Sequence, residues 1–244
     1  MTTSVQPYTI SQQVLAWLVH AFTSIGAIIG VYAVDAIYHQ QFILALWLMG
    51  AAIIVDAVDG TFARWLDVKN VLPDFDGELL DNIIDYFNYV LVPAIFILMS
   101  PICQGALAPL AAALITLASC YQFCQNDAKT EDHFFKGFPS FWNIVVFYLF
   151  FLQTSSLVSF IILMLFTVLV FVPIKYIYPS RLEYLTKSPI LQLGMLIATI
   201  IWGAATLGLL WLFPEQSWVL MLISVAYIIL YFSASLYRTF NPLH

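Results

Sequence analysis

An all-α, polytopic membrane protein with about eight transmembrane helices is the fold class that three observations predict. Of 244 residues, 62% are hydrophobic and only 9% charged, with a mean hydropathy of +0.93, too few polar side chains to coat a soluble globule. Apolar runs long enough to cross a hydrocarbon core of ~30 Å recur along the whole chain. The Lys and Arg residues fall in or beside alternate connections between those runs or at the chain's last helix end.

Taken in order, the runs lie near 14–34, 42–62, 79–99, 106–124, 139–153, 159–178, 190–212 and 218–238. No Lys or Arg precedes the first, and it is too long for the apolar core of a cleaved leader, so it is expected to stay as a span, with residues 1–13 as a possible juxtamembrane segment. Its Gly26 and Gly30 are read as ordinary close packing rather than a dimer seam. Pro93 and Pro173 fall inside the third and sixth runs, where kinks are tolerated. The fifth and sixth form a nearly continuous stretch from Phe141 to Tyr178, broken only by "QTSS" at Gln153 to Ser156. One helix of that length would outrun a bilayer, so two spans and a tight turn are expected.

Charge tests this layout. Arg64 and Lys69 fall after the second run, Lys129 and Lys136 after the fourth, Lys175, Arg181 and Lys187 in or beside the connection after the sixth, and Arg238 at the end of the eighth. The opposite connections carry none, the bias expected of a cytoplasmic face, so both termini are expected inside. No repeat or low-complexity linker divides the chain, and one membrane-embedded domain over 1–244 accounts for it. Cys103, Cys120 and Cys124 form no CxxC pair and sit in or beside apolar runs, where packing is the expected role.

The net charge of −6 is local. Eight of the fourteen acidic residues lie between Asp56 and Asp85, so the excess marks a site rather than a surface, and it argues against nucleic acid as a partner. Asp56 and Asp59 occupy the last turns of the second helix, Asp81 and Asp85 the first turns of the third. Spacings of three and four put each pair on one helix face. Four like charges at the edge of a low-dielectric region need a compensating cation. Oxygen ligands without His or Cys favour a hard metal, Mg²⁺ or Mn²⁺, and four carboxylates suffice for two ions. Hard metals at a membrane surface point to phosphate chemistry. Gly60, Ala63 and Gly77 leave room beside the acids for a flat base or a phosphate, and Arg64 can pair with a phosphate oxygen. Asp67, Asp74, Asp76 and Glu78, in or beside the loop, are read as solvated.

The pattern Asp56-x2-Asp59-Gly60-x2-Ala63-Arg64, then Gly77-x3-Asp81-x3-Asp85, resembles the signature of the CDP-alcohol phosphotransferases, membrane enzymes that join an alcohol to a lipid or lipid precursor and release CMP. The twelve residues between Arg64 and Gly77 exceed that family's usual gap. "HAFTSIG" at His20 to Gly26, "VKNVLPDFDGELLDNIIDY" at Val68 to Tyr86, "DAKTEDHFFKGFPSFWN" at Asp127 to Asn143 and "FVPIKYIYPSR" at Phe171 to Arg181 are similar to bacterial members whose acceptor is choline. The resemblance implies that fold, CDP-diacylglycerol and choline as substrates among membrane phospholipid, a homodimer, and a bacterial inner membrane location with the site facing the cytoplasm. It also implies that Asp56, Asp59, Asp81 and Asp85 hold two divalent cations, that Asp85 is the general base, and that Gly60, Ala63, Arg64 and Gly77 contact the CDP portion.

A quaternary ammonium is held by aromatic faces and negative charge. Tyr86, Trp142, Tyr176 and Tyr178 are the aromatic candidates at the inner boundary, although such residues commonly serve as interface anchors, and helical geometry turns Tyr86 off the catalytic face. His20 is expected to hydrogen-bond across helices, and His133 to be solvated in its loop. Two rival readings remain: transfer to serine or another small alcohol, and an ion-coupled transporter, whose acids would more commonly sit near the midplane of broken helices.

Overall fold

The structure, a computed structural model, describes residues 8–130, 132–178 and 184–241. Arg181 and the first seven residues of the expected juxtamembrane segment lie outside them. Every expected run contains a helix, the fifth and sixth only over part of their length. Helix α1 covers Ile10–Tyr38, α2 Phe42–Trp65, α3 Val68–Val71, α4 Gly77–Tyr86, α5 Val92–Met99, α6 Leu107–Cys124, α7 Trp142–Leu152, α8 Ser156–Phe171, α9 Pro189–Leu212 and α10 Trp218–Phe240. A π-helical turn, Phe87–Leu91, joins α4 to α5 into one span.

Six of the passes are long and apolar enough to cross a membrane. Helices α7 and α8, with 11 and 16 residues, reach only about 16 and 24 Å at 1.5 Å per residue. Ahead of α7 the chain runs through Gly137, Phe138, Pro139 and Ser140, all buried, which is how non-helical backbone is accommodated at membrane depth. Helix α8 stops at Phe171 because Val172, held extended at ψ 122° before Pro173, cannot continue it. Pro173 therefore lies beyond the helix rather than within a kinked span.

Helix α1 begins earlier than expected because Thr9 and Gln12 form a reciprocal capping box, Gln12 N–H donating to Thr9 Oγ1 at 3.3 Å and Thr9 N–H to Gln12 Oε1 at 2.8 Å. Residues 10–13 thus belong to the first helix and not to a separate surface segment. Gly26 and Gly30 face α4 and the π-turn. A Cβ on Gly26 would lie 2.9 Å from Ile84 Cγ2, and one on Gly30 2.5 Å from Asn88 Oδ1 and Phe87 Cε1. The two glycines let α1 close onto the third span, and Asn88 Nδ2 bonds the Gly26 carbonyl across the gap at 3.0 Å.

One end of the bundle is knit together by its loops. Two short strands, β1 (Phe135–Lys136) and β2 (Lys175–Tyr176), pair antiparallel, linking the loops before α7 and before α9. The loop before α9 is fastened to α10, with Lys175 N–H donating to Thr239 Oγ1 at 2.9 Å, Tyr231 Oη to the Ile177 carbonyl at 2.9 Å and Arg238 Nε to the Leu185 carbonyl at 2.6 Å. Tyr8 ahead of α1 reaches Asp67 in the loop after α2 at 3.3 Å. The lysines and arginines of the described residues lie on these segments or at the helix ends that enter them. Elsewhere the outer surface is apolar, with Ile190, Trp211 and Phe240 among the large side chains left exposed, as lipid contact requires.

Candidate active site

The close approach of α1, α2 and α4 creates a cavity lined by all four motif aspartates, with Thr23, Asn88 and Tyr89 beside them. Carboxylate oxygens of Asp56, Asp81 and Asp85 come within 4.8 Å of one another. Asp59 lies about 60° round α2 from Asp56 at 100° per residue. It is buried on the α1 side of the cavity, where it meets Thr23, and its oxygens stand outside the group of three. Three acids, rather than four, are therefore gathered tightly.

This donor set fits a divalent cation. Three half-buried carboxylates sit together, and no His or Cys joins the group, a hard, all-oxygen site. Among the described residues, no lysine or arginine forms an ion pair with any of the three. A hydrogen bond from outside the cluster braces it, Tyr89 Oη donating to Asp56 Oδ2 at 2.7 Å. Tyr89 is buried in the π-turn, a local widening of the helix that commonly marks functional positions. It was not among the residues expected at the site. The signal was present in its position four residues after Asp85, which continues the series Gly77, Asp81, Asp85 along one face.

The expected nucleotide contacts separate. Arg64 is exposed in the last turn of α2, where it donates to Thr61 Oγ1 at 3.2 Å, and a Cβ on Gly60 would approach its Nη1 at 3.3 Å. Gly60 thus leaves space for the guanidinium itself. Ala63 packs on a small cluster of Ala16, Val19, Val68 and Val71, with one side turned away from the acids. Gly77 makes room for His20, whose Cε1 would stand 2.6 Å from an added Cβ. The His20 ring also packs on Phe75, 4.5 Å between centroids, and its buried Nε2 has no hydrogen-bond partner. The cross-helix hydrogen bond expected of this nitrogen is not made, because the surfaces packed on the ring are aromatic faces and a bare glycine.

The long loop after Arg64 is occupied by α3, whose Val68 and Val71 pack under α1. Asp67 and Asp76, expected to be merely solvated, fix this loop. Asp67 accepts from Asn70 at 2.8 Å, and Asp76 caps α4 by accepting from Leu79 N–H at 2.9 Å.

The aromatic candidates also separate. Tyr86 points away from the acids, its hydroxyl on the Thr116 carbonyl at 3.2 Å and Cys120 Sγ at 3.0 Å. Trp142 is fully buried and donates to Ser119 Oγ at 2.7 Å, the mark of a packing residue. Tyr176 is buried against Phe138, Tyr231 and Phe232. Tyr178 stacks on Phe135, 4.7 Å between centroids, and a line of rings continues through Phe141 to Tyr89, with spacings of 5.9 and 5.8 Å. Of the four, Tyr178 alone is joined to the acid cavity by this line. His133 packs its ring on Tyr184 at 4.0 Å.

A family model for CDP-alcohol phosphatidyltransferases matches residues 16–173. The chain is 48% identical over 239 residues to the phosphatidylcholine synthase of Legionella pneumophila, covering 97% of this chain and 93% of that one. It is 47% identical to the phosphatidylcholine synthase of Legionella bozemanae, over 88% of this chain and all of the other, and 37% identical to that of Borreliella burgdorferi, over 93% and 96%. With more than half its length matched by the family model and the motif carboxylates gathered in one cavity, the chain belongs to the CDP-alcohol phosphatidyltransferase family.

Proposed function

We propose that this enzyme makes phosphatidylcholine, transferring the phosphatidyl group from CDP-diacylglycerol to choline and releasing CMP. The observation that carries the reading is the gathering of Asp56, Asp81 and Asp85 in a chain that matches phosphatidylcholine synthases along nearly its whole length. Asp85 takes the proton of the choline hydroxyl. The oxygen so freed forms a bond to the phosphorus that carries diacylglycerol, and the bond from that phosphorus to CMP breaks, the electron pair leaving with CMP. Asp56, Asp81 and Asp85, with Asp59 on the α1 side of the same cavity, would hold two divalent cations, Mn²⁺ or Mg²⁺, and the cations would supply charge neutralisation at the pyrophosphate. Tyr89 fixes the rotamer of Asp56 through its hydrogen bond. Arg64, exposed in the last turn of α2 with donors to spare, meets a phosphate oxygen, and Gly60 leaves it room to swing.

The site sits at the loop-rich end of the bundle, whose basic residues support a cytoplasmic orientation in a bacterial inner membrane. The lipid tails then stay in the bilayer while the soluble choline and CMP come and go from the cytoplasm. The whole chain acts as one domain, and a homodimer is proposed on the family resemblance, to be tested by light scattering in detergent. Purified protein given CDP-diacylglycerol, choline and Mn²⁺ should yield phosphatidylcholine and CMP. Product from serine or inositol with choline ignored would overturn the acceptor and leave the reaction class standing.

A further inference from the structure

The covering loop between α6 and α7 carries two lysines, and they are used differently. Lys136 Nζ lies 2.5 Å from Asp127 Oδ2, and Lys175, from the loop paired with it, lies 2.5 Å from Asp132 Oδ2. Each spends its charge on a loop carboxylate. Among the described residues Lys129 forms no ion pair. Backbone geometry sets its direction. Lys129 and Phe135 are antiparallel bridge partners, so their side chains leave the ribbon on the same face. Phe135 leads through Phe141 to Tyr89 and so to Asp56. The ribbon is closed by Lys136 N–H to the Ala128 carbonyl at 2.9 Å and Thr130 N–H to the Phe134 carbonyl at 2.8 Å, and it is tied to its neighbour by the β1–β2 pair.

An exposed lysine on the ribbon face that leads to the acid cluster, with no ion pair among the described residues, is placed for a guest that brings its own negative charge. We propose that Lys129 binds the pyrophosphate of the CDP-linked donor from the loop side, opposite the aspartates. A phosphate lying between the carboxylate cavity and this loop needs a cation on each side, and a lysine on a flexible four-carbon stem can follow the group as the bond to CMP lengthens. Lys129 lies far outside the aspartate motif in sequence, and the ribbon brings it to the site. The inference rests on a CDP-linked donor binding at the acids and is independent of choline as acceptor.

The test uses the full-length protein in lipid-containing detergent, with Lys129→Met and Lys129→Arg. Binding of CDP and of cytidine is measured by calorimetry, KM is measured separately for CDP-diacylglycerol and choline, and the Mn²⁺ activation midpoint is recorded. Lys129→Met should weaken CDP binding and raise the CDP-diacylglycerol KM about tenfold, leave cytidine binding and the choline KM unchanged, and be partly rescued by Arg. Unchanged CDP binding with Mn²⁺ activation at lower concentration would overturn the proposal, since Lys129 would then serve only to offset the carboxylates. Equal losses for CDP and cytidine, or no rescue by Arg, would likewise assign it a structural role. A wild-type protein that transfers phosphatidyl groups only from a donor without CDP would overturn the underlying reading instead.

Discussion

Two polar regions inside this bundle contrast. Between α7, α9 and α10, Trp202 Nε1 donates to Tyr148 Oη at 2.8 Å, Tyr148 in turn bonds Ser224, and Thr199 bonds both Tyr227 Oη at 2.9 Å and the Met195 carbonyl at 2.8 Å. Every donor there has an acceptor, and Trp202 stacks on Tyr227 at 5.2 Å. Between α2 and α4 the polar groups are carboxylates, which when ionised only accept, and the hydrogen bond that braces the group of three comes from Tyr89. The first region satisfies itself and holds helices together. The second gathers negative charge with no cation among the described residues in contact, so its balance comes from something bound. Polarity at membrane depth is therefore not the mark of the site; unbalanced polarity is.

Four substitutions break or sharpen this contrast, in descending order of effect. Asp85→Asn removes the proposed base and a metal ligand together, and CMP release should fall on the order of a thousandfold while the protein elutes as a folded species in size-exclusion chromatography. A near-normal rate would erase the functional half of the comparison. Tyr89→Phe deletes one hydrogen bond to a charged group, which is worth about 1.5–3 kcal/mol. It should cost roughly tenfold in turnover, with the melting temperature lowered far less than activity.

Tyr148→Phe should show the opposite signature. It strands the Trp202 donor, lowers stability by about 1 kcal/mol, and leaves turnover intact; a large loss of activity would show the two regions to be coupled. The smallest effect concerns the loop pairs. Burial opposes ionisation of Asp132, but its bonds to Lys175 and Thr130 outweigh this and hold its carboxyl below the ordinary range. A lowered folded pKa stabilises above the unfolded value of about 4, and that gain is lost as pH falls through the folded value. The pair is partly exposed and worth no more than about 0.5 kcal/mol. Asp132→Asn should therefore melt slightly below wild type at pH 7, and the gap should close in acid.

Much of this was legible in the sequence because lipid leaves the chain few choices. The eight apolar runs all carry helices, six passes being long and apolar enough to span a membrane, and the spacings of Asp56 with Asp59 and of Asp81 with Asp85 announced four acids on one cavity, of which three are gathered tightly. What stayed hidden depended on contacts between distant segments. Hydropathy cannot tell a short helix extended by a buried turn from a full span, so α7 read as longer than it is. Gly77 looked like room for a ligand, and His20, a partner 57 positions earlier, takes that side of it. Tyr89 followed the aspartate series in plain view, but a tyrosine in an apolar run carries no distinguishing signal until its hydroxyl is found on Asp56. Lys129 read no differently from Lys136, Lys175 and Arg181, cations that could meet a lipid or nucleotide phosphate or merely set topology, and the strand pairing and the ion pairs of Lys136 and Lys175 set it apart.

The central claim is that Asp56, Asp81 and Asp85 form a divalent cation site. Its most direct test is titration of the purified protein with Mn²⁺, followed by the electron paramagnetic resonance signal of the free ion. Wild type should take up Mn²⁺ saturably, and Asp81→Asn/Asp85→Asn, folded to the same helical content, should lose that uptake. Equal binding by both proteins would place the metal elsewhere and contradict the account.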